Sequence, residues 1–206
     1  MKIDQPPLRR WLLWHHSIMK LPPWEHDRRT IAHHEAAHAV VGFFLNAPVV
    51  RIELLDDDRR GVALFNYSAM EASAAAAKEA APEAAPEAAP NVEILEIVAT
   101  LHAAWNYAGL MAEILLHGIS LDGRVQIDTQ DWRVARGMLA VGFGDDRAEQ
   151  AMFYSQHLTR YVLQRNWDLV AAIADEVEKK GQVSGDNVMR ICAGRSVSWG
   201  ELTDKW

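Results

Sequence analysis

Ile31-Ala32-His33-His34-Glu35-Ala36-Ala37-His38-Ala39-Val40-Val41-Gly42 is the stretch on which the reading of the chain turns. Ile31, Ala37, Val41 and Leu45, with Val40 and Phe44 alongside, recur at helical spacing, and Asn46-Ala47-Pro48 ends the pattern. Residues 28–45 are therefore expected to form a buried helix. Side chains four apart lie one turn above each other, so His34 and His38 share a face and can offer two imidazoles to one cation. Glu35 sits one residue round, outside that pair but within reach of a water molecule whose proton a carboxylate can take. Zinc suits such a site because it accepts nitrogen and oxygen ligands, keeps a position open, and brings the pKa of a bound water to about 7. The competing account is a buried helix whose histidines are merely hydrogen-bonded. Burying three polar residues there without a partner would be costly, which favours the metal.

Two histidines leave a catalytic zinc one protein ligand short, and no third histidine follows closely. Glu113 and Asp131 are the leading carboxylates, with His102 and His117 behind them. Spacing alone does not choose. Asp131 also has a plain structural explanation, since a carboxylate in the first turn of a helix meets unpaired backbone donors and a favourable dipole.

Outward from the motif, residues 49–55 and 62–67 are rich in β-branched and aromatic types and flank a polar turn, which predicts two strands in a hairpin. Residues 69–90 are alanine-rich and end in three copies of Glu-Ala-Ala-Pro beginning at Glu79, Glu83 and Glu87. Proline at every fourth position forbids a continuous helix, so this is expected to be a solvated, semi-extended insertion. A helical pattern then runs over residues 91–118 to a glycine stop at Gly118. After a loop at 119–127, Asp128 or Thr129 can cap a further helix reaching about Val141. Residues 146–180 and 185–193 read as helical, with breaks near Asn166 and Gly181. The expected fold is mainly α (α+β), a helical domain over residues 28–206 with a small β-hairpin after the His-Glu helix. Residues 1–27 form a Trp-rich arm, in which Pro6, Pro7, Pro22 and Pro23 surround an amphipathic stretch. It is expected to pack its tryptophans on the domain, the alternative being docking on a partner or a membrane surface.

The 206 residues suffice for one core, and 50% apolar with 24% charged residues is the composition of a globular chain. A net charge of -7 with scattered basic residues argues against a nucleic-acid partner. The single cysteine, Cys192, excludes an internal disulfide framework and a cysteine-rich zinc site. No apolar run approaches the roughly 20 residues of a membrane span. The apolar stretch near the N-terminus is too short for a signal peptide, so a cytoplasmic location is expected.

The stretch from Ile31 to Gly42 resembles the zinc helix of the FtsH-type ATP-dependent zinc metalloproteases, in their C-terminal peptidase domain. Ala47-Pro-Val-Val-Arg-Ile52 and Arg60-Gly-Val-Ala63 are similar to the strand pair that follows it. Ala108-Gly-Leu-Met-Ala-Glu-Ile-Leu-Leu-His-Gly118 resembles that family's Ala-Glu-Glu helix, and Asp131-Trp-Arg-Val-Ala135 its Asn-Asp segment. The resemblance implies zinc held by His34, His38 and Asp131, with Glu35 as general base and acid. It makes Glu113 a supporting residue, or the alternative ligand. The chain departs from the family in having Ala37 where glycine is usual, in the Glu-Ala-Ala-Pro insertion after the strand that would border a cleft, and in lacking a nucleotide-binding Gly-x-x-x-x-Gly-Lys loop. The expected function is that of a zinc-dependent endopeptidase acting on unfolded or flexible polypeptides without ATP. A homo-oligomer or a separate ATPase partner would fit the resemblance. The alternatives are a catalytically silent zinc-binding adaptor and a zinc hydrolase of a non-peptide amide.

Overall fold

The computed structural model describes residues 27–47, 49–55, 60–65, 92–119 and 130–196. The Trp-rich arm before Asp27, the Glu-Ala-Ala-Pro insertion, most of the polar turn and the Asp128 and Thr129 caps lie outside the described residues. The fold is mainly helical with a small antiparallel sheet, as the sequence pattern predicts.

Helix α1, Arg28–Phe44, runs through the centre. Asp27 caps it, its side chain accepting a hydrogen bond from the Thr30 amide at 2.7 Å. That bond to the charged form holds the Asp27 carboxyl below its usual pKa. Asp27 is thus the N-cap of the helix. Ala32, Ala36, Ala37 and Ala39 are all fully buried, and such small side chains let neighbouring elements approach closely. At the far end Asn46 takes a left-handed conformation (φ 58°) and turns the chain into the sheet.

Strands β1, Val49–Leu54, and β2, Gly61–Phe65, form the expected hairpin, in antiparallel register from Leu54↔Gly61 to Val49↔Phe65 with an irregularity between Val49 and Arg51. Ile52, fully buried, points from β1 into the core. The sheet has a third strand that the sequence pattern did not predict. Strand β3, Gln182–Ser184, pairs antiparallel with β1 and gives the order β2-β1-β3.

The helical pattern after residue 91 is two helices rather than one, α2 at Val92–Asn106 and α3 at Ala108–Leu116, broken at Tyr107. Helix α4, Gln130–Phe143, packs along α2 and buries Trp132, Ala135 and Leu139, which share one face. Helices α5, Asp145–Arg165, and α6, Trp167–Lys180, are separated at Asn166 as predicted. The Thr159 hydroxyl of α5 lies 2.7 Å from the Ala104 carbonyl oxygen and donates to it, which ties down the C-terminal end of α2. Gly181 ends α6 in a left-handed conformation (φ 77°), and α7, Gly185–Cys192, follows β3. The neighbours of α1 are α6, α3 and the sheet, with lesser contacts to α2, α5 and α7. Among the described residues no helix is long and apolar enough to cross a membrane.

Removing the α1 cap tests whether this central helix depends on local satisfaction of its first turn. Asp27→Ala is expected to lower the unfolding free energy by about 1 kcal/mol, read from the urea midpoint, with secondary structure unchanged.

Candidate metal centre

Helix periodicity places His34 and His38 on one face of α1, and tertiary packing then assigns a different task to each ring nitrogen. His34 Nδ1 lies 2.6 Å from Glu113 Oε1 on α3 and donates its proton to that carboxylate. His38 Nδ1 lies 3.0 Å from the backbone oxygen of Trp105, near the end of α2. A carbonyl can only accept, so this nitrogen is the protonated one. In the neutral rings, therefore, both Nε2 atoms carry lone pairs, the arrangement that outer hydrogen bonds impose on metal-binding histidines.

Those two Nε2 atoms lie 3.2 Å apart. Asp131, in the first turn of α4, brings its Oδ2 to 3.4 Å from His34 Nε2 and 3.8 Å from His38 Nε2. Three electron-rich atoms meet here. An ion with ligands at about 2.0–2.1 Å in a tetrahedron sets adjacent ligand atoms roughly 3.4 Å apart, close to all three separations. His34, His38 and Asp131 are thus grouped so that they could hold a metal ion. Glu113 stands outside this set, behind His34, bonded to the nitrogen that faces away from it. The geometry selects Asp131 from the two carboxylates that spacing left open. His117 lies 3.4 Å from the Thr30 hydroxyl, and His102 lines an apolar recess with Leu101 and Trp105, so neither joins the cluster.

The electrostatics of the cluster show the same pull on a cation. Burial works against the charged imidazole of His34, but Asp131 and Glu113 outweigh it and raise its pKa to about 10. Burial likewise disfavours the Asp131 carboxylate, yet hydrogen bonding to the two histidines holds its pKa well below the usual range. A proton takes the place where positive charge is wanted, and a metal ion would compete with it. The side chain of Asp131 is 37% exposed against 9% for His38, so the cluster opens to solvent on the Asp131 side.

Glu35, only 8% exposed, lies close enough to His34 to favour its charged form. Strand β2 covers it from one side. A Cβ on Gly61 would come within 2.5 Å of Glu35 Cγ and 3.0 Å of its Oε1, so only a bare backbone fits over this carboxylate. Trp105 provides a second wall, its ring in edge contact with His38 at 6.0 Å and with Phe65 at 4.5 Å between centroids. Sequence reasoning missed Gly61 and Trp105 as parts of the site. Gly61 does stand in the quoted Arg60-Gly-Val-Ala63 segment, whereas the Trp105 carbonyl leaves no trace in residue type.

Two measurements bear on this arrangement. Glu113→Gln is expected to weaken zinc binding by about 10–100-fold while leaving the ligand set intact, and Asp131→Ala to weaken it further, by isothermal titration. In chelator-treated protein the raised His34 pKa contributes stability that is complete below about pH 6.5 and lost as pH rises to about 10. The urea midpoint should fall more steeply across that window in wild type than in His34→Gln.

No protein-family model and no curated protein matches this chain, so the geometry of the centre is what bears on its function.

Proposed function

We propose that the chain is a zinc-dependent peptidase that cleaves unfolded or flexible polypeptides. The observation that carries this reading is the convergence of His34 Nε2, His38 Nε2 and Asp131 Oδ2 with the Glu35 carboxylate one residue along the same helix. Two nitrogens and one oxygen suit zinc better than magnesium or calcium, which favour all-oxygen sets. Three protein ligands converge among the described residues, the number that suits a catalytic ion. The ordered resemblance to the FtsH-type peptidase domain, from the zinc helix to the Asp131 segment, supports the peptide bond as the substrate.

A zinc ion in this site would polarise the scissile carbonyl and acidify a water molecule. The residues of the chain do the rest. Glu35 takes the proton from the attacking water onto a carboxylate oxygen and then delivers it to the leaving amine as the carbon–nitrogen bond breaks. Glu113 and the Trp105 carbonyl hold the two imidazoles in the tautomer that leaves Nε2 free. Burial beneath Gly61 limits the motion of Glu35, so that its carboxylate is already in place before substrate arrives. The exposed side of Asp131 is the way in for an extended chain. An accessible site suits polypeptides that are already unfolded.

The test compares wild type, Glu35→Gln and Asp131→Ala for bound zinc and for cleavage of an unfolded casein. Glu35→Gln should keep zinc but lose cleavage by about 10²–10⁴-fold, and Asp131→Ala should lose both. Zinc retained by wild type with no cleavage would overturn the peptidase reading in favour of a silent zinc-binding adaptor. Cleavage of a simple non-peptide amide but no polypeptide would redirect it to small-molecule hydrolysis.

A further inference from the structure

Alanine is the best helix former and glycine among the worst, yet α3 carries Gly109 at its second position, buried against α1. A Cβ on Gly109 would lie 2.2 Å from His34 Nε2 and 2.4 Å from both Cδ2 and Cε1 of the same ring. No side chain can tolerate such overlap. The three nearest atoms all belong to the His34 ring and none to backbone, so the obstruction is directed at one imidazole, at its metal-facing end. Four residues on, the same helix supplies Glu113, whose Oε1 accepts from the opposite nitrogen of that ring at 2.6 Å. Positions 109 and 113 lie on one face of α3, one turn apart.

We propose that Gly109 is a positioning residue for His34, its missing side chain forming the slot that admits the metal-facing imidazole while Glu113 fixes the ring from the other side. The proposal rests on the metal centre described above and not on the peptidase activity assigned to it. With alanine at 109 the ring must swing out. Nε2 then leaves the donor set, and the buried Glu113 loses its bond to Nδ1. If His34 is itself reduced to alanine, the three atoms nearest to a methyl group at 109 are gone, and the overlap with the ring goes with them.

This gives a double-mutant cycle with a distinctive sign. Wild type, Gly109→Ala, His34→Ala and the double variant are compared for urea midpoint in chelator, and wild type and Gly109→Ala for zinc affinity against a chromophoric chelator. Gly109→Ala is expected to weaken zinc binding by at least about tenfold. It should lower the urea midpoint in the His34 background but leave it unchanged or raised in the His34→Ala background. If Gly109→Ala alone fails to fold while the double variant folds, overlap with the ring is equally demonstrated. Unchanged zinc affinity would overturn the proposal, as would equal destabilisation in both backgrounds or failure of both variants to fold. Cleavage is not read at any point, so a silent metal centre would sink the peptidase reading and leave this outcome unaltered.

Discussion

Burial of two imidazoles and a carboxylate on one central helix is the constraint around which the described structure is arranged. Helix α1 is enclosed over most of its length, so polar groups projecting from its middle must find partners or carry a desolvation penalty. Each neighbouring element answers part of that demand. Helix α3 brings Glu113 to His34, the end of α2 brings a backbone oxygen to His38, and α4 carries Asp131 across to both Nε2 atoms. Strand β2 covers Glu35 with a residue that has no side chain. The donors on the outer nitrogens are all satisfied, while the inner atoms are left electron-rich and facing one another. Stability of the surroundings and affinity for a cation are therefore two results of one hydrogen-bond pattern.

Packing makes this arrangement stiff on one side and open on the other. His38 is wedged against Trp105, which in turn rests on Phe65, and His34 sits between α1 and the bare start of α3. Asp131 has more freedom, at the exposed beginning of α4, anchored through Trp132 and Ala135 just beyond it. Two held imidazoles beside a more accessible carboxylate leave the cluster open on the Asp131 side. That asymmetry follows from which of the described elements are buried.

The parts legible in the sequence were those encoded locally. Helix α1 showed itself by its period and its proline stop, the hairpin by β-branched runs around a polar turn, and the α5–α6 break by Asn166. Strand β3 was not legible, because three residues carry too little pattern and its existence depends on pairing with β1, far away in the chain. The break at Tyr107 was hidden by an apolar pattern that continues on both sides. Within the site, His34, Glu35 and His38 were readable because one helical turn sets their relation. Asp131 and Glu113 were not separable by spacing, since each in fact approaches His34, one at each end of its ring. Only tertiary geometry distinguishes the end that faces the other donors. The resemblance had pointed to Asp131, and the packing of α4 along α2 gives the physical route by which it arrives.

The separation of the donors along the chain has a consequence for biosynthesis. His34 and His38 are synthesised before Glu113 and Asp131, which come only after the β1–β2 hairpin and α2, several seconds later at about 5–20 residues per second. A nascent chain thus exposes a helix with two histidines whose third candidate ligand has yet to be made. The three-donor cluster assembles only when α4 docks on α2. Assembly of the three-donor cluster is in effect a checkpoint on completed folding, and a chain truncated before α4 would carry the recognisable motif without its third donor.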